Sequence, residues 1–445
     1  MLEKFGARCE RFVRSYMPDP FVLVLLLTLF TFGLSVWVTS VQPNVLLKSW
    51  NTGFWELLSF AMQMVLIVVT GEAIAEAPLV QKALKKLSSL PKKPATAVLG
   101  LAFFSIVLGW LHWGLGLVMA SLAARSLGRA LNNRKASVHY PILGTAAYMS
   151  MLLWHAGTTA SAPLLINTPG HFLYKEIGLI PLSETIFLPT NLIVCAALAL
   201  TVPFLIVKLM PRRNIRTIDQ FDIEATHDAR SRKSEEKAKT FAEKLERSYL
   251  TNIAVGCMGV AFFIHYFKQE GLNLNHNIVN LLFLTIGVLL HRNPLEYARA
   301  ISQSVRGTSG IILQFPFYGG IMGMMRDSGL GHEIAHLFVQ FADGKTLPFF
   351  AYLASVVTKV FVPSGGGEWA IEGPIMLQAA KQLGAPVGLT TMGIAYGNMV
   401  GNMFQPFWAI PLLSIMGLKA RDIMGYCLAV FFFAFPLLAI ALMVT

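Results

Sequence analysis

Charge is what this sequence has least of. Asp, Glu, Lys and Arg make up 13% of 445 residues, 55% are hydrophobic and the mean hydropathy is +0.58, whereas a soluble domain carries about 25% charged residues. That scarcity excludes a water-soluble enzyme or binding module and points to an integral membrane protein. Cysteine is almost as scarce. Cys9, Cys195, Cys257 and Cys427 lie far apart with no CxxC spacing, which excludes a disulfide framework and a thiolate metal site. No basic motif has interleaved aromatics, so the net charge of +12 does not signal nucleic acid. Lys and Arg fall instead in the short connections between apolar runs, as the positive-inside bias of cytoplasmic loops predicts. Nothing in the pattern calls for a cofactor.

What is there is long apolar runs. They repeatedly reach roughly 17 to 25 residues, the length an α-helix needs to cross about 30 Å of hydrocarbon, so the expected fold class is an all-α integral membrane protein and a β-barrel is excluded. Arg8, Arg11 and Arg14 precede the first run. That run is too long for a signal peptide and has no small-residue cleavage site behind it, so it reads as a retained span in the lipid bilayer. Apolar length and loop charge together place spans at 20–41, 54–77, 141–164, 186–209, 249–269, 277–291, 304–325, 390–416 and 423–444. Two more blocks, 95–131 and 347–384, have the centres "HWGLG" and "PSGGG". The first lies between the basic segments "QKALKKLSSLPKK" and "RSLGRALNNRK", so both its ends face one side and it reads as a re-entrant hairpin. The sum is about nine transmembrane helices plus two hairpins, with the N-terminus cytoplasmic and the C-terminus periplasmic.

The two halves repeat. Gln63 precedes Pro78 by the same interval that separates Gln314 from Gly329, and the two pairs stand 251 residues apart. That offset also lays "HWGLG" on "PSGGG", and "APLL" at 162–165 meets "IPLL" at 410–413 with an offset of 248. The chain therefore divides into a first repeat (1–209), a charged cytoplasmic linker (210–248), an extra span (249–269) and a second repeat (270–445). The extra span makes the number of crossings between repeats odd, so the second repeat is inverted. Inverted repeats are the architecture in which secondary carriers place a site at the midplane between broken helices.

Four polar, helix-breaking patches would meet there: the two hairpin tips, with His112, Trp113 and Gly114 in one and Ser364, Gly365, Gly366 and Gly367 in the other, and two mid-span breaks. The first break offers His155, Gly157, Thr158, Thr159 and Ser161, the second Asn402, Gln405 and Pro406. Irregular backbone at membrane depth survives only where it is buried in protein or lines a wet cavity, and backbone N–H groups at a half-helix N-terminus favour an anion. These residues are the candidate substrate ligands. The structural alternatives are a tight turn without a ligand, hydrogen-bonded histidines and hydroxyls that serve as packing glue. His112, His155, Glu368, Gln63 and Gln314 are candidates for ion coupling, since imidazole titrates near neutrality and ionisable groups at membrane depth mark ion or proton paths. Glu372 shares a helical face with Glu368, while Glu72 and Glu76 read as a solvated span end. The sequence His332-Glu333-Ile334-Ala335-His336 matches the zinc motif HExxH, but it falls outside the four patches and only Asp343 offers a weak third ligand. An intramembrane zinc metalloprotease is thus the remote alternative, and no metal is expected.

The segments "DPFVLVLLLTLFTF", "GFWELLSFAMQM", "GIILQFPFYGGIM", "VPSGGGEWAIEGP", "QPFWAIPLL" and "RDIMGYC" together resemble the short-chain fatty acid transporter family, bacterial inner-membrane carriers within the ion transporter superfamily. The resemblance runs nearly end to end. It implies uptake of small monocarboxylates such as butyrate or acetoacetate, two re-entrant hairpins, unwound helices and a homodimer with an elevator-like movement. The Ser-Asn-Thr tip signature of the dicarboxylate relatives is absent from both hairpins, which leaves H+ and Na+ side by side as coupling ions. The carboxylate would be held by tip amides with Ser364, Thr158 or Asn402 and the tail by Trp113, Phe404 or Trp408. The lack of arginine in all four patches disfavours a doubly charged substrate, while another organic anion remains the alternative cargo.

Overall fold

A computed structural model describes residues 2–89, 91–168, 171, 173–221, 240–271 and 276–445 of the chain. Residues 222–239 of the charged linker lie outside the described residues. Among the described residues all regular structure is helical. The first half comprises α1 (Leu2–Tyr16), α2 (Pro20–Thr39), α3 (Pro43–Glu56), α4 (Leu58–Glu76), α5 (Pro78–Ser89), α6 (Pro94–Leu111), α7 (Trp113–Asn133), α8 (Tyr140–Tyr148), α9 (Ser161–Ile166), α10 (Tyr174–Ile177) and α11 (Pro189–Leu209). After α12 (Phe241–Glu246) and α13 (Tyr249–Glu270) come α14 (His276–Leu290), α15 (Pro294–Ser304), α16 (Ser309–Asp327), α17 (Leu330–Val339), α18 (Leu347–Thr358), α19 (Gly365–Leu383), α20 (Val387–Gly401), α21 (Ala409–Met416) and α22 (Ala420–Val444).

Proline starts many of these helices. Pro20, Pro43, Pro94, Pro189 and Pro294 stand in the first turn, where the missing N–H costs nothing and the fixed φ is already helical. Glycine in the left-handed region ends α19 and α21, at Gly384 (φ 67°) and Gly417 (φ 64°). Among the described residues six helical stretches are long and apolar enough to cross a membrane, against about nine expected: Pro20–Thr39, Pro43–Glu76, Pro94–Leu111, Pro189–Leu209, Tyr249–Glu270 and Ala420–Val444. Pro94–Leu111 is an arm of the block read as the first hairpin, and the expected spans at 141–164, 277–291, 304–325 and 390–416 are not among the six. Two of these differences have a physical cause. The runs at 141–164 and 390–416 unwind midway, leaving α8 with 9 residues and α20 with 15. The span expected at 54–77 begins earlier, at Pro43, because α3 continues almost directly into α4.

The two halves interlock. α4 and α16 begin and end 251 residues apart, as do the starts of α3 and α15. α3 packs on α16, and α15, the equivalent of α3, packs on α4; likewise α2 lies on α16 and α14 on α4. The α3/α16 contact is made by bare backbone. A Cβ on Gly53 would stand 2.3 Å from the Gly319 carbonyl oxygen and 2.9 Å from Gly323 Cα. Small residues four apart permit such helix contact in a membrane, where dispersion rather than water drives association.

Helix α1 is pinned to α22 by an ionic network that sequence reasoning did not reach. Asp422 accepts from Arg14 (3.1 Å) and Arg216 (2.8 Å), Arg216 also reaches Glu10 (3.2 Å), and Tyr426 donates to Glu10 (3.0 Å). His139 completes it: its Nδ1 accepts from the Arg216 N–H at 3.1 Å. Burial, and then the guanidinium groups of Arg216 and Arg14, push the His139 imidazole down to about 3, so at neutral pH it is uncharged.

Candidate functional site

All four interruptions of helix are joined at one place. The tip of the first hairpin is a single residue: α6 ends at Leu111, α7 begins at Trp113, and His112 between them is extended at φ −160°. Its Nδ1 accepts from the N–H groups of Gly114 (3.2 Å) and Leu115 (3.3 Å), so the imidazole caps α7. The first break is stitched to that tip. Thr158 donates its N–H to the Trp110 carbonyl at 2.8 Å and its hydroxyl to the Leu111 carbonyl, which occupies orphan acceptors at the end of α6. Thr159 Oγ1 accepts from Trp113 N–H at 3.4 Å. The two breaks then bind each other, with Tyr148 donating to the Asn402 carbonyl (3.0 Å) and Asn402 Nδ2 to the Met151 carbonyl (3.2 Å). The second hairpin joins through Trp408, whose indole donates to the Pro363 carbonyl at 2.9 Å.

Three tryptophans fill the centre. The ring of Trp154 lies 4.8 Å from Trp113 and 4.6 Å from Trp408, Trp113 lies 5.1 Å from Trp408, and His155 stacks on Trp154 at 4.1 Å. One residue thus comes from the first tip, one from each break, and the third is bonded to the second tip. Gly365 closes against the first break, where a Cβ would fall 2.4 Å from His155 Cε1 and 3.1 Å from Ser161 Oγ. Gly366 differs: its missing Cβ would point into open space. Ser364 caps α19 by accepting from Gly367 N–H at 3.4 Å.

The second hairpin has a charged interior. Lys359, fully buried, follows directly after α18 ends at Thr358; its Nζ donates to the Pro363 carbonyl at 2.5 Å and to Asn398 Oδ1 at 2.6 Å. Glu368, equally buried, accepts from the Ser355 hydroxyl and from Asn398 Nδ2. Asn398 on α20 therefore stands between a cation and a carboxylate and serves both. One turn further along α19, Glu372 is fully buried, lies near the Thr358 hydroxyl, and makes a hydrogen bond at neither oxygen. Around the centre, His155 Nε2, Asn402 Oδ1, Gln405 Nε2 and Gln314 Oε1 also make no hydrogen bond within the protein. Buried polar groups are normally paired, so each of these atoms is one that water, an ion or a solute would satisfy.

Other expectations are placed elsewhere. Gln314 adjoins the centre, since its neighbour Phe315 stacks on Phe407 at 4.1 Å, but its repeat partner Gln63 lies apart, donating to Asn277 on α14 at 2.8 Å. Phe404 sits at the edge against Phe431, at 5.3 Å. Glu72 is half-buried and 4.0 Å from Arg125 rather than at a solvated span end. His332, Glu333 and His336 are exposed on α17, and among the described residues no group of three His, Cys, Asp or Glu side chains is placed to hold a metal.

The family profile described as short chain fatty acid transporter matches residues 1–445. The chain is 40% identical over 443 residues to an Escherichia coli relative named for short-chain fatty acid transport, covering 99% of both chains. It is 38% identical over 450 residues to a Haemophilus influenzae protein of the same name, again covering 99% of each. The chain belongs to the short-chain fatty acid transporter family. It is also similar to the Alcanivorax borkumensis YdaH transporter, at 15% identity and a TM-score of 0.44 over 95% of this chain and 98% of that one, a likeness too distant to transfer helix order or site residues.

As a member of the family, the protein is a multi-pass membrane transport protein. Sequence reasoning found the four patches and missed what supports them. Lys359, Asn398 and Ser355 were passed over, although a lysine flanked by "ASVVT" and "VFVP" is an ionisable residue in an apolar run, itself a signal of function. Trp154 was passed over as well, one residue from His155.

Proposed function

We propose that the protein is a secondary active carrier of short-chain monocarboxylates such as butyrate and acetoacetate across the bacterial inner membrane, coupled to H+ or Na+ and working as a homodimer. The observation that carries this reading is the junction of both hairpin tips and both breaks around Trp113, Trp154 and Trp408. Such a junction offers a small acid what it needs: apolar ring faces for its tail, and for its carboxylate the N–H groups at the start of α19, with Ser364, Gly366, Thr158 and Asn402 close by. Oriented dipoles in a low dielectric hold an anion without a dedicated arginine. The tail would contact Trp113, Trp408 and, at the edge, Phe404.

The inverted-repeat reading is supported by the constant 251-residue shift between α4 and α16 and by the swapped packing of α3 and α15. With basic connections inside, the N-terminus is cytoplasmic and the C-terminus periplasmic.

Exchange in proteoliposomes tests the reading: labelled butyrate outside against unlabelled butyrate inside, with no ion gradient and with protein-free vesicles subtracted, because the undissociated acid crosses bilayers unaided. Saturable exchange, inhibited by acetoacetate and not by dicarboxylates, is expected. If exchange does not exceed that of protein-free vesicles, the substrate class is refuted. Inhibition by another organic anion in preference to monocarboxylates would reassign the cargo.

A further inference from the structure

The core of the second hairpin holds three ionisable side chains, Lys359 just beyond the end of α18 and Glu368 and Glu372 about one turn apart on α19. Around them stand Ser355 and Thr358 from α18, Asn398 from α20 and His155 from the first break, while the ionisable residues of α17 (His332, Glu333 and His336) are exposed. Lys359 is where a metal cation would be held in such a fold. Unwound carbonyls and the C-terminal end of a half-helix are the groups that coordinate sodium in broken-helix carriers, and the negative end of a helix dipole attracts any cation. Here the end of α18, the Pro363 carbonyl and Asn398 Oδ1 are all turned on the Lys359 ammonium.

Charge counting then bears on the carboxyls. A buried charge without a partner costs several kcal/mol, so interiors arrange themselves close to neutrality. The group contains one cation and two carboxyls, Glu368 and Glu372. Glu368 accepts from two donors, Ser355 and Asn398, whereas Glu372 has only the Thr358 hydroxyl nearby and no hydrogen bond formed. Neutrality therefore requires one proton on the carboxyl pair, and the carboxyl with fewer donors is the one that accommodates it.

We infer, resting on the carrier reading above, that Lys359 occupies the coupling-cation position as a resident ammonium and that Glu372 carries the coupled proton, so that transport is proton-driven and independent of sodium. In each cycle Glu372 takes one proton from the side where the site opens, one carboxylate anion binds at the tip, and both leave on the other side. The cycle moves one H+ and one RCOO−, with no net charge and no other reactant.

Labelled butyrate uptake into proteoliposomes is measured with an inward proton gradient or an inward sodium gradient, each against choline, after subtraction of protein-free vesicles. The expected result is accumulation with the proton gradient at the same rate in sodium and in choline, and none with sodium alone. Accumulation driven by sodium, or a requirement for sodium, overturns the inference while leaving the carrier reading intact; absence of exchange without gradients would instead remove the reading itself. The wild-type ion dependence decides this point even if a Lys359→Met variant fails to fold. Glu372→Gln supplies the residue-level test: its exchange rate is expected to lose its dependence on pH, and an unchanged pH profile overturns the role of Glu372.

Discussion

The two hairpins, α6 with α7 and α18 with α19, are made of opposite chemistry. In the first, the tip is one residue, His112, whose ring caps the returning arm, and the arms are held by apolar packing and by hydrogen bonds to backbone from the adjoining break. In the second, the turn is longer, and between its arms lies the Lys359, Asn398 and Glu368 chain, with Glu372 beyond it. The first hairpin ties its tip down with hydrogen bonds to His112 and from Thr158; the second keeps a charged interior. On the proposed reading the first hairpin holds its neighbours in place and the second moves charge.

Breaking that difference should cost most at Asn398. Asn398→Leu leaves Lys359 and Glu368 buried without their shared partner, and removing one member of a buried charged set costs about 3 kcal/mol. The melting temperature in detergent should fall by several degrees, with exchange lost; a melting curve like wild type would mean that the two charges do not depend on Asn398. Gly366→Leu should separate function from folding. Its side chain enters open space, so melting should be unchanged while butyrate exchange falls at least about tenfold, the equivalent of 1.4 kcal/mol at the site. Retained exchange would move the substrate away from the second tip.

In the first hairpin the effect should be smaller and purely one of capping. His112→Ala removes an N-cap worth about 1 kcal/mol, and His112→Asn, a good cap, should restore the melting temperature. If Asn fails where His works, the imidazole has a further role. The mildest expectation lies outside both hairpins. Because His139 is held neutral in the fold down to about 3 but titrates near 6.5 when unfolded, the unfolded state binds the extra proton in between. Its contribution is intact above pH 6.5 and is lost as pH falls toward 3. A His139→Gln variant should therefore show a flatter decline of melting temperature between pH 6.5 and 5 than wild type.

How much of this was legible in the sequence varies with the physics involved. Apolar run length and loop charge located the helices, because bilayer thickness imposes both. The glycines of 365–367 and the polar residues of 155–161 and 402–405 revealed the breaks, because unwound backbone at membrane depth has few permitted compositions. Gln63 illustrates what the repeat could not tell: its offset from Gln314 is preserved, yet it bonds to Asn277 on α14, since two related helices can face different neighbours. Lys359 and Asn398 could not be paired by inspection because they are 39 residues apart on different helices, and only packing brings them together.

The exchange of helices between the halves has a consequence in time. The groove that α2 and α3 present, floored by Gly53, is filled by α16, which lies about 250 residues farther along the chain. At a synthesis rate of about 5–20 residues per second, the first half waits on the order of 10–50 s in the membrane before its partner helix is made. During that interval lipid, an insertase or a chaperone must cover a face designed for another helix. Assembly of this transporter should therefore be sensitive to anything that stretches the delay, such as a pause in translation within the linker.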